Sequence, residues 1–396
     1  MILGASQITS HTLDAALLGD DLPLDPKTAT IILDESWSPY GQITLVCPVS
    51  AELIALDPTV DHFVDVTLRQ SYGRLLTVGD LSKRWAGRPL SALSLAYRGI
   101  GVGGVWYGDL GGVSRSLFSS WSNPGDAYEA TARAFVGMML RARTIDHVGA
   151  TVTLTLATVD AKLHDHTHTS DTVPELFAPA GTDRAHKAVR WVLGYIDAEL
   201  DDVPAAALIP DFDIQANPWR TGSTAWDYLS PILQRADLRL WCDEAGLWHL
   251  RTDQPTPPDV VELSGTRTIT AASDTIDLDQ SVTESVLVVY QWTDSAGVAQ
   301  TAYDAAQVPG SSRLPYVVTY YRPFPGKGAA ARILKSRLAR SRRVPVAAVS
   351  DYRVQPGMPI TLDLPDTSPL AGVVSATTWR FPADEMNVVT RDVALA

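Results

Sequence analysis

Apolar and polar residues alternate along much of this chain, and the alternation falls into short runs that read as strands. Residues 28–33 (TATIIL) and 42–49 (QITLVCPV) are β-rich, and the turn formers of 34–41 (DESWSPYG) separate them. Residues 61–70 (DHFVDVTLRQ) carry the same texture through Phe63, Val64, Val66 and Leu68. Residues 134–146 and 150–157 predict a hairpin: Val152, Leu154 and Leu156 alternate against threonines, and Val148-Gly149 supplies the turn. Runs of this kind begin a small antiparallel barrel or sandwich. Between residues 73 and 133 the pattern breaks. Residues 77–97 show only short helical periodicity, interrupted by Gly87 and Pro89. Residues 99–112 (GIGVGGVWYGDLGG) form a glycine-dense loop holding Trp106 and Tyr107, and 114–125 stay irregular. The stretch reads as an insertion whose loop can move or wrap a neighbour.

In the middle of the chain the period shifts from two to 3.6. Residues 182–200 predict a helix capped by Thr182 or Asp183, with Ala188, Val192 and Ile196 on its inner stripe. Residues 223–252 are the most informative stretch. Ser223 or Thr224 can cap a helix whose Trp226, Leu229, Leu233 and Ala236 share one face. Residues 238–241 and 247–250 then alternate as two strands around the turn 243–246. Pro231 falls inside that helix, where it removes one backbone bond and is expected to bend the axis. Residues 253–259 (DQPTPPD) mark a break. A hairpin over 285–292 and 298–303, a helix over 326–340 and further strands from 344 to 395 complete the chain.

With 396 residues, 45% of them hydrophobic, the chain can bury a sizeable core and fill two to four domains. A net charge of −13 makes it a poor grip for nucleic acid, because phosphate contacts need clustered Lys and Arg. The same charge suits a channel wall along which DNA slides without sticking. The two cysteines, Cys47 and Cys242, each sit in a predicted strand and read as small buried apolar side chains; one pair is no disulfide framework. No apolar run reaches the ~18 residues of a membrane span, and residues 1–21 lack the basic start of a signal peptide. Synthesis in a cytoplasm, without export by the general pathway, is therefore expected.

Candidate chemistry is sparse, and no cofactor is expected. His164, His166 and His168 (HDHTH) are the one dense group of metal-ligand types. In an extended segment they would point the same way; the competing reading is a solvated linker. Paired carboxylates occur at Asp34-Glu35, at Asp243-Glu244 and at Asp277 with Asp279. A glycosidase needs two such groups across a cleft, whereas adjacent acids in turns are ordinarily solvated turn residues. The Asp277–Asp279 pair could hold calcium. Neither glycine-rich stretch has the ending of a phosphate loop, and no nucleophile elbow occurs. Arg332, Lys335, Arg337, Arg340, Arg342 and Arg343 form one cationic run, read as a solvated helix face or an interface for acidic subunit surfaces.

Residues 351–360 (DYRVQPGMPI), followed by 372–379 (GVVSATTW), give a V-x-P-G-M-x-I … G-x-V … W layout. It resembles the closing β-domain of bacteriophage tail hub proteins, the minor tail proteins of long-tailed phages of actinobacteria. WSPYGQITLVCPV (37–49), TVGDLSKRW (77–85), 143–162 and 223–252 resemble other parts of the same proteins, in order. The resemblance implies an α+β, β-rich fold: two tail-tube-like β-barrel domains with smaller helix-containing domains between them. It divides the chain into 1–165, with an insertion at about 73–133, then 166–275, then 276–396 with one helix. It also implies a homotrimeric, non-enzymatic ring at the tail tip of a virion, made in the host cytoplasm. Such a ring meets a distal tail protein, a tape-measure protein and receptor-binding proteins, and lets DNA pass without binding it stably. Since the chain stops just after the closing strands, no fused lytic domain is expected. Exposed aromatics favour interfaces, so Trp106, Tyr107 and Trp121 are the interface candidates. A second reading, suggested by eleven tryptophans able to stack on sugars, is a carbohydrate-binding or carbohydrate-active β-protein acting on cell-wall glycans.

Overall fold

The computed structural model describes residues 7–19, 22–73, 100–102, 105–107, 128–180, 182, 184–201, 218–235, 238–251, 260–265, 268–273, 275–276, 283–294, 297–312, 314–321, 323–324, 326–339, 342–365, 367–383 and 385–395. About half of these are strand and about a sixth helix, so the expectation of a β-rich chain with few helices holds.

The first strands are β1 (Gln7–Leu17), β2 (Leu22–Leu24), β3 (Thr28–Asp34), β4 (Gly41–Pro48) and β5 (Phe63–Gly73), with the short α1 (Ala51–Ala55) before β5. Among the described residues, β6 (Ile100–Val102) and β7 (Val105–Tyr107) pair only with each other. β8 (Tyr128–Asp146) and β9 (Thr151–Ala157) form the hairpin expected around Val148-Gly149. Alternation does what the sequence pattern demands: Ile31 and Leu33, Ile43 and Leu45, and Val152, Leu154 and Leu156 are all buried, while the residues between them are not.

The far end of the chain joins the same sheet. β14 (Val261–Ser264), β15 (Ile269–Ala272), β21 (Val346–Val349), β22 (Pro359–Asp363), β23 (Leu370–Phe381) and β24 (Glu385–Leu395) complete thirteen strands. The path runs β15-β21-β24-β23-β3-β4-β9-β8-β5-β1-β2, with β22 on β23 and β14 parallel to β22. The seam is β3 against β23, where Ile31 faces Trp379. One apolar core spans it, from Leu45, Val66 and Phe135 to Val346, Ile360 and Val388. The resemblance implies two barrels; strand pairing gives one open sheet, and no barrel closes among the described residues.

A second core holds the middle of the chain. It packs α2 (Lys162–Asp165), α3 (Ala185–Leu193), α4 (Ala225–Arg235) and the hairpin β12 (Arg239–Cys242)–β13 (Trp248–Arg251) around the fully buried Trp219. Trp219 lies in β11 (Trp219–Arg220), which pairs β10 (Glu175–Leu176). Thr224 proves to be the α4 cap: its Oγ accepts from the Asp227 amide at 3.1 Å, and Asp227 accepts from the Thr224 amide at 3.2 Å. Pro231 does lie inside α4. The preceding helix is shorter than expected. Thr182 does not cap it, because its hydroxyl donates to the Pro179 carbonyl at 2.7 Å. α3 ends in a 3-10 turn, stopped by Asp197 at φ 53.

A third core packs α5 (Ala329–Ala339) on the sheet β18-β17-β19, made of β17 (Ser285–Thr293), β18 (Ala299–Gln307) and β19 (Tyr316–Tyr320). The expected hairpin is β17–β18; β19, parallel to β17, has no counterpart in the sequence reading. Buried Asp304 of β18 holds the start of α5 by accepting from the Gly328 and Ala330 amides at 2.9 and 2.8 Å. Among the described residues one further pair remains, β16 (Thr275–Ile276) with β20 (Arg342–Arg343).

Candidate functional site

The chemistry-bearing side chains gather where the large sheet meets the middle module. β8 carries a bulge between Phe135 and Met138, where Gly137 adopts φ +63 and donates to Asp65 Oδ1 at 2.7 Å. The bulge turns the Val136 amide outward to the Glu244 carbonyl, 2.7 Å away in the turn of the β12–β13 hairpin. Beside it, buried Arg133 pairs with the Glu244 carboxylate and donates to the carbonyls of Tyr352 and Val354, each at 3.0 Å. Its guanidinium also lies 5.1 Å from the Trp379 ring. One arginine thus ties β8, the middle hairpin and the segment before β22.

A second cluster sits on Glu35. Buried Arg391 of β24 pairs with it, and Arg239 of β12 approaches to 3.9 Å while lying 4.4 Å from the Trp241 ring. A third is Asp160, 1% exposed, which accepts from the Tyr40 amide at 2.9 Å and the Thr158 hydroxyl at 2.5 Å. Burial pushes the Asp160 carboxyl up to about 6, against the lowering effect of those bonds and of Arg239. The expectation that the adjacent acids are solvated turn residues is corrected for Glu35 and Glu244. Asp34 serves its turn, accepting from the Ser36 amide at 2.7 Å; Asp243 also serves its turn, accepting from the Ala245 and Leu247 amides at 2.9 Å each, but it is largely buried and meets His249 Nε2 at 2.8 Å. Asp277 and Asp279 lie outside the described residues.

Asp160 has a consequence for stability. The folded chain holds this proton more tightly than an unfolded one, whose carboxyl titrates near 3.8. The group therefore favours the folded state below pH ~4, and that contribution is lost as the pH rises through 6. Asp160→Asn keeps the shape without the charge. The stability of the variant relative to the parent is expected to rise by about 2–2.5 kcal/mol between pH 4 and pH 7.5. Denaturant unfolding across that range checks it; a flat difference refutes it.

The three histidines are separated by their surroundings. The segment is helical at α2, not extended. His164 Nε2 lies 2.9 Å from Ser38 Oγ, and its ring is 5.3 Å from Trp226. The His166 ring lies 5.5 Å from Trp219. His168 Nε2 meets the Val173 carbonyl at 2.8 Å. Among the described residues, no three His, Cys, Asp or Glu side chains come together as metal ligands. Cys47 and Cys242 are buried and unpaired, as expected for apolar fillers, and burial pushes the Cys47 thiol up to about 11. Trp106 and Tyr107 belong to the short strand β7, where the sequence suggests a loop; Trp121 and residues 77–97 lie outside the described residues.

The cationic run is not a uniform solvated face. Arg332 turns inward to the Leu238 carbonyl at 3.0 Å, just past the end of α4, and Arg337 lies 3.4 Å over the Tyr316 ring. Arg340 lies outside the described residues. Between α4 and the β19–α5 layer runs a cleft with two lobes of about 400 and 640 Å³. No helix among the described residues is long and apolar enough to cross a membrane.

Neither a family model nor a curated protein matches this chain. Solved structures do. A prophage MuSo2 43 kDa tail protein from Shewanella oneidensis superposes with a TM-score of 0.54 at 10% identity, covering 96% of this chain and 97% of its own. The tail protein from Neisseria meningitidis MC58 superposes with a TM-score of 0.53 at 10% identity, covering 96% of both chains. The fold is that of phage tail proteins. The likeness runs through the large sheet, the middle module and the β17–β19 layer alike, given how much of each chain it covers.

Proposed function

We propose that the protein is a structural component of a phage tail, and specifically the hub at its tip. The observation that carries this reading is the likeness along 96% of the chain, which makes the whole architecture the shared feature and not one module. The joined ends support it too. β3 and β23 lock the N-terminal and C-terminal strands into one sheet, whose two halves we assign to two tube-like β-domains, 1–165 and 276–396, the second joined by β14 and β15 from the end of the middle segment 166–275.

Three copies would close a ring through a heterologous interface. With two tube-like domains each, they would meet a sixfold tail tube on one side and threefold receptor-binding machinery on the other. The insertion at 73–133, with Trp106, Tyr107 and Trp121, is the segment we assign to neighbouring subunits, the distal tail protein or the tape-measure protein. The net charge of −13 keeps the ring from gripping DNA in transit. No catalytic step is assigned to it.

Two measurements test the reading together. Mass in solution should correspond to three 42.8 kDa chains. A Fab raised against the chain should decorate one end of the tail in electron micrographs of intact virions. Decoration along the whole tail, or on the head, would remove the hub assignment.

A further inference from the structure

We propose that the cleft between α4 and the β19–α5 layer is a binding site for a neutral oligosaccharide. Its two lobes, about 400 and 640 Å³, share Trp226, Ser230 and Tyr320, so they adjoin, each in the size range of small-ligand pockets. The first lobe adds the rings of Trp37 and Tyr316, with Arg239, Arg332 and Arg337 in its wall. The second adds Tyr228 and Tyr321, with Arg220, Asp227 and the hydroxyls of Thr221 and Ser223. Aromatic rings offer flat apolar faces, against which the C–H face of a pyranose packs. Arginine, carboxylate and hydroxyl groups interleaved with them supply the donors and acceptors that sugar hydroxyls need.

Charge decides between ligand classes. Each lobe contains both signs: Glu35 with the arginines in the first, Asp227 with Arg220 in the second. Glu35 is buried against Arg391 within the wall of the first lobe, so an acidic peptide or a nucleic acid meets an opposing carboxylate at Asp227 in the second, and a basic peptide meets the guanidinium groups of both. A neutral polyhydroxylated chain meets neither penalty. Much of the wall is held in place before any ligand arrives. Arg332 is fixed by the Leu233 and Leu238 carbonyls, Arg337 by the Tyr316 ring, and Arg239 by Glu35 and the rings of Tyr40 and Trp241. Two large aromatics stay in water: Tyr321 is 83% exposed and Trp37 47%. Two adjoining lobes suit several linked sugar units better than one.

The inference does not rest on the tail assignment, and its failure would leave that assignment standing. The test uses the full chain against an array of short neutral gluco-, galacto- and N-acetylhexosamine oligosaccharides, with saturation-transfer NMR on any that bind. Tyr321→Ala and Trp37→Ala remove exposed side chains, so both variants should melt as the parent does. Binding of at least one oligosaccharide is expected, weakened about five- to tenfold in each variant. Hexaglutamate, the acidic peptide probe, should not bind. The proposal is overturned if no saccharide binds, if both variants bind as the parent does, or if hexaglutamate is preferred.

Discussion

Arg133→Met is expected to cost about 3–5 kcal/mol of stability, the range for removing one partner of a buried ion pair. Arg133 is 7% exposed, and its loss strands the Glu244 carboxylate together with the carbonyls of Tyr352 and Val354. The methionine refills part of the volume but offers no donor. The penalty comes from what is left behind, not from the net worth of the pair. Adding Glu244→Met should therefore recover part of the loss, since the orphaned charge goes with it. Denaturant midpoints of the two variants measure this. A loss below about 1 kcal/mol for the single change would mean that water reaches Glu244 once the arginine is gone.

Trp379→Ala should cost a similar 3–5 kcal/mol, from lost burial and the cavity it leaves. Trp379 is 1% exposed and sits opposite Ile31, on the seam joining the two ends of the chain. Its indole N–H donates to the Asp351 carbonyl at 3.1 Å, so truncation also orphans an acceptor. Hydrogen exchange gives the sharper readout. Amides of β3 that bond across to β23 should lose protection before those of β4–β9 do. Uniform loss across the sheet would show that the seam is not the weak line. Because Arg133 lies over the same ring, the two losses should fall short of additivity by about 0.5–3 kcal/mol.

The candidate site was only partly legible from residue order. Arg133 left a trace: it shares the inward parity of β8 with Phe135, and a charge on an apolar face asks for a partner. Nothing local named that partner, because Glu244 is 111 residues away and sits in a turn whose composition reads as solvated. Glu35 misled for the same reason. Its neighbour Asp34 does serve the turn, but Glu35 points at Arg391, 356 residues on. Asp160 gave no signal, since its burial depends on Tyr40 and Thr158 closing over it. The histidines gave a false one, because spacing in a linker says nothing about which ring or carbonyl each imidazole meets after folding.

What residue order determined by itself was local: period-two runs became β3, β4, β8, β9, β17 and β18, and the 3.6-period runs became α3, α4 and α5. The hairpin turns at Val148-Gly149, Asp243 and Asp294 were equally local, set by short-range hydrogen bonds and glycine backbones. Only the tertiary structure decided that β23 should lie against β3, that β19 should run parallel to β17, and that the aromatic cleft should form beside α4. The physical reason is that strand edges and buried charges are satisfied by whichever distant partner the whole chain brings near. Periodicity specifies a face for burial, but not the segment that covers it.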